Sequence, residues 1–183
     1  MARISLAPTL LLAMPQLEDP HFHRSVVLLC REEDDGAMGL IVNRRTDTAV
    51  STVVDFDLEL ASDNGSVVWM GGPVEPHRGW LLLGYDPGSP DALEVADGLY
   101  LSASMTVLRS MVEERWHPTS RFLLGYAGWG GGQLQAELAA SAWLSIDASH
   151  DLIFRTPAED MWETAIRSLG INPFSLQTGG GMH

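Results

Sequence analysis

Short apolar runs separated by turn residues constrain this chain more than any other feature of its sequence. Runs of this length, bounded by turn residues, are typical of strands covered on both faces. Asp35-Gly36 and Asp97-Gly98 separate apolar segments too closely for a helix, and Asp-Gly supplies the positive φ angles of a tight hairpin. The apolar runs are Thr9–Met14, Val26–Cys30, Leu40–Val42, Val67–Met70, Trp80–Leu83 and Phe122–Leu124.

Helical patterns lie between and after these strands. Residues 156–159, Thr-Pro-Ala-Glu, predict a helix start with a threonine cap, proline at the first helical position and a glutamate that reaches back. Gly170 is placed to end that helix in a left-handed conformation. A second helix is predicted from Ser104 to Arg115, and a third follows the glycine cluster near residue 130. Thr48–Asp55 fits either a helix or a strand.

The distribution of hairpins and helices predicts an α+β (mixed α/β) fold with helices packed on a sheet. The 183 residues suit one domain spanning 1–183. We interpret the turn-rich stretch 86–90 as a loop within that domain, because neither half of the chain has a complete core of its own. The glycine-rich tail, 178–183, is predicted to be flexible.

The charge balance excludes several chemistries. There are 24 acidic and 11 basic residues, so the formal net charge is −13, and every basic residue is an arginine. Without lysine there is no lysine Schiff base and no phosphate loop ending in Gly-Lys-Ser/Thr. The excess of acid opposes approach to a polyanion, so direct nucleic-acid binding is disfavoured.

The single cysteine, Cys30, allows no disulfide within the chain and fits a reducing compartment. It closes an apolar run, and acidic residues follow Arg31, so we interpret Cys30 as a strand residue rather than a nucleophile. The N-terminal apolar stretch is interrupted by Pro8 and lacks a cleavage pattern. No run approaches the ~18 apolar residues of a membrane span. These features predict a cytoplasmic protein that does not contact the membrane.

The most suggestive candidate site is the segment Gly128–Gln133, which includes Gly130. It is predicted as the end of a strand, a glycine-rich loop and a helix start, where backbone N–H groups and the helix dipole favour an anion. Trp129 would cover the ligand. Gln133 stands where a dinucleotide fingerprint has its third glycine, so that motif is incomplete. The alternative is that these glycines only permit a sharp turn and close helix packing.

Two other strand ends carry candidate binding residues, Asn43-Arg44 and Gly71-Gly72-Pro73. Strand ends in sheets with helices are where sites often gather. The structural alternative is that Gly-Gly-Pro forms a corner, that Asn43 bonds local backbone and that Arg44 pairs with an acid. His21 and His23 lack a recognisable third metal ligand, so we predict no metal site and no cofactor.

Blocks of residues spread over nearly the whole chain form an ordered pattern. They are Ala13-Met14-Pro15, Asp19-Pro20, Gly36–Arg44, Gly71–Val74, Gly125–Trp129, Gly132–Leu134, Trp143-Leu144 and Leu169–Ile171. In this order they resemble the YqgE/AlgH family of bacterial proteins. The resemblance implies a single domain whose mixed, bifurcated sheet includes a small barrel and is wrapped by helices. It implies no reaction, and the family's common label of transcriptional regulator rests on genetic association. Gly131, Ser141 and Leu83 depart from the residues usual at those positions.

Three hypotheses of function follow. The first is a non-enzymatic cytoplasmic protein that acts through a protein partner or a small ligand, with regulation as an indirect effect. The second is a sensor or enzyme that holds a small anion, nucleotide-like or carboxylate, over Gly128–Gln133, with Arg44 as countercharge. The third is a DNA-binding transcriptional regulator, which the net charge disfavours and for which no helix has a basic recognition face. The number of chains in the assembly stays open.

Overall fold

Strands dominate the part of the chain that the computed structural model describes, residues 9–17, 19–54, 66–114 and 116–177. Each predicted apolar run lies in or overlaps a strand, and both Asp-Gly hairpins form. The predicted tail 178–183 lies outside the described residues. The strands are β1 (Thr9–Ala13), β2 (Val26–Glu33), β3 (Gly36–Ile41), β4 (Arg45–Ala49), β5 (Val67–Met70), β6 (Val74–Leu83), β7 (Leu93–Ala96), β8 (Leu99–Ser102), β9 (Ser120–Gly130) and β10 (Trp143–Asp147).

The antiparallel pair β1 and β2 has apolar side chains on both faces. Leu10 lies opposite Leu28, and Leu11 lies opposite Val27. Because successive side chains of a strand point to opposite faces, the first pair enters one core cluster and the second pair enters another. All four side chains are fully buried. The prediction of doubly covered strands is therefore confirmed here.

The sheet branches at β9. Its main path runs β10-β1-β2-β3-β9-β6-β8-β7, while β5 also pairs with β9 and carries β4 on its other side. The β5–β9 pairing is parallel and the pairings of β9 with β3 and β6 are antiparallel. The branched sheet curls into a half-barrel, as the family resemblance implies.

Helices cover the branches of the sheet. One core cluster holds the buried face of the longest helix, including Trp162 and Ile166, against β1 and β2. Another holds Leu108 and Met111 against β6 and β9. The helices are α1 (Val50–Val53), α2 (Met105–Glu113), α3 (Gln133–Ala139), α4 (His150–Arg155), α5 (Ala158–Ser168) and α6 (Pro173–Gln177).

The start of α5 differs from the sequence prediction. Pro157 is the N-cap and no side chain caps the helix, while Thr156 instead ends α4, a helix that the sequence analysis missed. Gly170 follows α5 with φ +75°, as predicted. The ambiguous segment Thr48–Asp55 forms the end of β4 and the single turn of α1 as far as residue 54, and Asp55 lies outside the described residues.

Candidate functional site

The predicted site residues lie at opposite ends of β3. Gly36, the first residue of β3, pairs with Gly130 of β9. Asn43 and Arg44 follow Ile41, the last residue of β3. A strand of this length spans roughly 17 Å. Arg44 is therefore not a countercharge to the Gly128–Gln133 segment, and the two groups belong to separate surfaces.

Asn43 holds the local backbone. Its side chain is buried, its Oδ1 accepts a hydrogen bond from the Val26 amide at 2.9 Å, and its Nδ2 donates to the Arg24 carbonyl at 3.0 Å. Arg24 has φ +52°, a left-handed conformation that is uncommon for a residue with a side chain. The amide of Asn43 therefore ties this strained residue to the start of β2.

Arg44 is half-buried beside the same segment. Its guanidinium donates to the carbonyl oxygen of His23, and its own carbonyl accepts from the Met70 amide at 2.8 Å. Burial of the guanidinium lowers the pKa of Arg44 below its ordinary value. Among the described residues no carboxylate lies within ion-pair distance of Arg44, so the expected pairing with an acid is not formed there.

Gly71-Gly72-Pro73 carries the chain from β5 to β6 across β9. The Gly71 amide donates to the Leu124 carbonyl at 2.8 Å, and the Gly71 carbonyl accepts from Ile41 at 2.8 Å. A Cβ on Gly72 would overlap the carbonyl carbon of Tyr126. These glycines are therefore required because two backbone segments approach closely. This agrees with the structural alternative, in which Gly-Gly-Pro forms a corner.

The glycine-rich segment is mostly strand. Gly128, Trp129 and Gly130 belong to β9, so the predicted loop is reduced to the turn at residues 131–132. The Gly130 amide donates to Oε1 of Gln133 at 3.0 Å, so a side chain of the protein itself occupies that donor. Trp129 is 7% exposed and packs in a core cluster, and it is not positioned as a lid.

Glu137 links two tryptophans in the core beside α3. One of its carboxylate oxygens, Oε2, accepts from the indole N–H of Trp129 at 2.9 Å and of Trp143 at 2.8 Å. The other accepts from Gln133 at 3.1 Å. No local sequence pattern marks Glu137 as a site residue, because its partners are brought to it by the packing of β9 and β10 against α3.

A cleft of about 500 Å³ opens where β2, β3, β9 and β6 lie side by side. Its floor includes Gly36 and Gly128, which lack side chains. We name it the Arg78 cleft. It brings together Gly128 and Trp129, from the predicted site, with residues that the sequence analysis did not select. It is lined by Arg31, Asp35, Gly36, Ala37, Met38, Val74, Arg78, Trp80, Tyr126, Gly128 and Trp129.

A bulge in β6 places Arg78 over the cleft. Val74 pairs with Tyr126 and Gly79 pairs with Leu124, so residues 75–78 oppose a single residue of β9. Bulges bend a strand and redirect its side chains, and they are frequent beside sites. Proline and glycine within a strand are the sequence signal for such a bulge, and Pro76 and Gly79 carry it, although the predicted run begins only at Trp80.

Aromatic rings form one wall of the Arg78 cleft. The Arg78 guanidinium carbon lies 4.4 Å from the centre of the Trp80 ring, and Trp80 meets Tyr126 edge to face at 6.2 Å. Arg78 also contacts Glu75 at 3.4 Å. A hydrogen bond to Glu75 raises the pKa of the Tyr126 phenol. Trp80 Nε1 is buried with no acceptor among the described residues.

The histidines and carboxylates give no grouped metal ligands. Within residues 9–17, 19–54, 66–114 and 116–177, no three His, Cys, Asp or Glu side chains cluster closely enough to hold a metal ion. His21, one of the two histidines considered as ligands, contacts Asp19 at 2.8 Å. Among the same residues no helix is long and apolar enough to cross a membrane.

The branched half-barrel, with helices over its faces and a cleft beside the bulged strand, defines a mixed α/β fold. The chain belongs to the AlgH-like family (DUF179), whose model matches residues 10–174. UPF0301 proteins of Ruegeria pomeroyi and Myxococcus xanthus are each 39% identical to it, over 97% and 98% of this chain and 99% of each relative.

Two solved structures share the fold. The solution structure of the AlgH protein from Pseudomonas aeruginosa has a TM-score of 0.77 and 32% sequence identity, with 100% of both chains covered. A crystal structure of a protein from Corynebacterium diphtheriae has a TM-score of 0.73 at 22% identity, covering 100% of this chain and 95% of the other. The second likeness concerns the fold alone. The names of these relatives state no reaction and no ligand.

Proposed function

We propose that this protein is a non-enzymatic binding protein of the cytoplasm that holds a small anionic ligand in the Arg78 cleft. Any effect on transcription is then indirect, through what the ligand-bound protein contacts. The observation that carries the proposal is the convergence of Arg31 and Arg78 on one glycine-floored cleft. The two arginines come from β2 and β6, with β3 and β9 between them.

The ion pairs that these arginines form are weak enough to exchange for a ligand. Arg31 contacts Glu33 at 3.4 Å and Arg78 contacts Glu75 at 3.4 Å, and all four side chains are more than half exposed. Exposed pairs of this kind contribute about 0–1 kcal/mol. A carboxylate or phosphate held by a guanidinium through two parallel hydrogen bonds makes a stronger contact.

The lining favours an anion attached to a planar or apolar body. Trp80 and Tyr126 supply aromatic surface, and Val74 and Met38 supply aliphatic surface. Sites for small ligands combine such apolar walls with a few placed polar groups. The volume of about 500 Å³ matches a ligand of ordinary metabolite size.

Two potential nucleophiles are held in their protonated forms. Burial raises the pKa of the Cys30 thiol to about 12, and the hydrogen bond from Tyr126 to Glu75 raises the pKa of that phenol. A thiol or phenol of this kind is a poor nucleophile near neutral pH. Cys30 lies outside the lining of the Arg78 cleft and Tyr126 lies within it, so neither side chain supports covalent catalysis there.

The test is calorimetric titration with a panel of aromatic carboxylates and nucleoside monophosphates, first on the wild-type chain and then on Arg78→Ala. We expect at least one panel member to bind, and Arg78→Ala to weaken it by about tenfold or more, which equals about 1.4 kcal/mol. Arg155→Ala is the matched control, because Arg155 also pairs with a carboxylate but lies on α4, outside the cleft.

A second variant pair tests the glycine floor. A Cβ at Gly128 would make ordinary contacts with Val74 and Tyr126 at 3.6 and 3.7 Å, so Gly128→Val keeps the strand and fills the cleft. Gly130→Val lies two residues along the same strand and outside the lining. Loss of binding in Gly128→Val alone supports the proposal. Equal binding by wild type, Arg78→Ala and Gly128→Val, or no binding by any panel member, contradicts it.

A further inference from the structure

A second pocket, of about 430 Å³, lies at the other end of β3 from the Arg78 cleft. We name it the Arg24 pocket. Its base is apolar and Arg24 supplies a cationic edge, and the pocket is separate from the proposed function above. The pocket is lined by Ala13, Met14, Pro15, His23, Arg24 and Trp162.

The aromatic wall of the Arg24 pocket is held in place by the core. Trp162 is 3% exposed, and its indole N–H donates to the Ala13 carbonyl at 2.9 Å. The guanidinium carbon of Arg24 lies 4.9 Å from the centre of the Trp162 ring. Asn43 fixes the backbone from which Arg24 extends. The cation and the ring are therefore pre-positioned before any ligand arrives.

The positive charge at this edge is only partly neutralised by the protein. Arg24 contacts Glu163 at 3.5 Å, and the same carboxylate also contacts Arg167 at 3.6 Å. Arg44 donates to the carbonyl of His23, the residue that precedes Arg24, and among the described residues it has no carboxylate within ion-pair distance. Arg24 thus lines the pocket with a single carboxylate partner, which it shares with Arg167, while Arg44 adjoins His23 without being part of the lining.

We propose that the Arg24 pocket binds an apolar carboxylate, with the carboxylate against Arg24 and the apolar body over Met14, Pro15 and Trp162. Guanidinium groups recognise carboxylates through paired hydrogen bonds. The apolar base recovers free energy from burying the hydrocarbon part of the ligand. A free organic acid and the C-terminal residue of a peptide both present this chemistry.

The experiment is an NMR titration of the full chain, following the indole N–H signal of Trp162. The probes are 3-phenylpropionate, 3-phenylpropionamide, and a tetrapeptide ending in phenylalanine with either a free or an amidated C-terminus. We expect the acid forms to shift the Trp162 signal and to bind at least about tenfold more tightly than the amides. Binding of 3-phenylpropionate would show that a free organic acid is a sufficient ligand. Binding of only the tetrapeptide with a free C-terminus would identify a peptide C-terminus as the ligand.

Two variants with opposite expected effects on affinity separate an effect on binding from an effect on folding. Arg24→Asn removes the guanidinium while asparagine tolerates the left-handed backbone, and it should weaken the acids about tenfold or more. Glu163→Gln removes the competing carboxylate and should strengthen the same acids several-fold. Arg155→Asn, at an exposed position of α4, should leave the affinity for the acids unchanged.

Three results would overturn the proposal. The first is equal binding of acid and amide, the second is a set of shifts that leaves the Trp162 signal unmoved, and the third is no binding of any probe at millimolar concentration. Because Arg78→Ala leaves the Arg24 pocket intact, loss of carboxylate binding in Arg24→Asn but not in Arg78→Ala distinguishes this site from the Arg78 cleft.

Discussion

Glu137 shows how one polar side chain organises a core. Its carboxylate accepts from two indole N–H groups and one amide, and those donors come from β9, β10 and α3. Buried donors that lose their acceptor carry a full desolvation cost. The residue therefore joins three consecutive elements of the chain.

Glu137→Ala should lower the free energy of unfolding by about 2–5 kcal/mol, because it leaves the Trp129 and Trp143 indoles without an acceptor. Urea unfolding followed by tryptophan fluorescence measures the change. Glu113→Ala, at an exposed position on α2, is the control and should stay within about 0.5 kcal/mol of wild type. A Glu137→Ala protein as stable as the control would show that the indoles find other partners.

Because of Cys30, the free energy of unfolding is expected to fall as the pH rises through the alkaline range. The folded-state pKa of its thiol, about 12, lies above the ordinary value of 9.0, so the folded protein holds this proton more tightly than the unfolded chain does. The contribution is therefore complete below pH 9 and is lost as the pH rises toward 12.

Between those values we expect Cys30→Ala to lose less stability per pH unit than wild type, by up to about 1.4 kcal/mol per unit. Urea unfolding of both proteins at a series of pH values from neutral upward measures the two slopes. Comparison of slopes removes the constant effect of the smaller side chain. Equal slopes for the two proteins would mean that the Cys30 thiol has the same pKa in the folded and unfolded states.

At the scale of elements, the crossing of β9 by residues 71–73 defines the branch of the sheet. Gly125 has φ +76°, and a Cβ there would overlap the carbonyl of Gly72. Two backbones therefore approach each other more closely than side chains allow. The glycines serve the branch point itself, and this explains why a glycine pair follows a strand at residues 71–72.

Gly125→Ala should cost at least about 2 kcal/mol more than Gly88→Ala in the free energy of unfolding. Both glycines have positive φ, +76° and +71°, but nothing lies within 4 Å of a Cβ at Gly88. The difference between the variants thus reports the overlap, since the backbone cost is common to both. Thermal or urea unfolding gives the two values, and equal losses would contradict the close crossing.

Sequence patterns within a few residues predicted those strands and helices that are determined by neighbouring residues. Apolar runs and Asp-Gly turns predicted most strands, and Ser104 caps α2 with its hydroxyl accepting from Val107 at 3.3 Å. The pattern at residues 45–49, Arg-Thr-Asp-Thr-Ala, is polar and did not predict β4. The threonine that suggested the cap of α5 ends α4 instead, because only two residues lie between the end of α4 and the start of α5.

The candidate sites were only half predictable, because they depend on strand order. Gly128 and Trp129 line the Arg78 cleft, but Arg31 and Arg78 reach it through pairings distant in sequence. Asn43 and Arg44 adjoin a different pocket, since β3 separates them from Gly130. No local pattern contains this separation. It follows from the register of β3 against β9.

At the scale of the whole molecule, the acid excess places carboxylates beside many of the cations. Within the part of the chain that the structure describes, exposed or partly exposed carboxylates lie within 4 Å of at least six arginines. These are Arg24, Arg31, Arg45, Arg78, Arg155 and Arg167. With a net charge of −13, the remaining field repels polyanions.

Duplex DNA should therefore form no complex with the chain at about 150 mM salt. Electrophoretic mobility shift with random and candidate operator duplexes, beside a basic DNA-binding protein as the control, measures this. A sequence-specific complex whose affinity falls steeply between about 50 and 200 mM salt would contradict the prediction. The label of transcriptional regulator would then describe a direct activity.

The two-sided burial of β1 and β2 has a consequence for how these strands find their alignment. A slip by one residue exchanges the two faces, yet Leu10–Leu12 and Val26–Leu29 would remain apolar on both. Hydrophobicity alone thus does not distinguish the native pairing from its neighbours. Hydrogen bonds at the strand ends make the distinction. The side-chain oxygen of Asn43 accepts from the Val26 amide, and the indole N–H of Trp162 donates to the Ala13 carbonyl. Burial of apolar side chains drives the pairing of these strands, and two polar side chains fix its register.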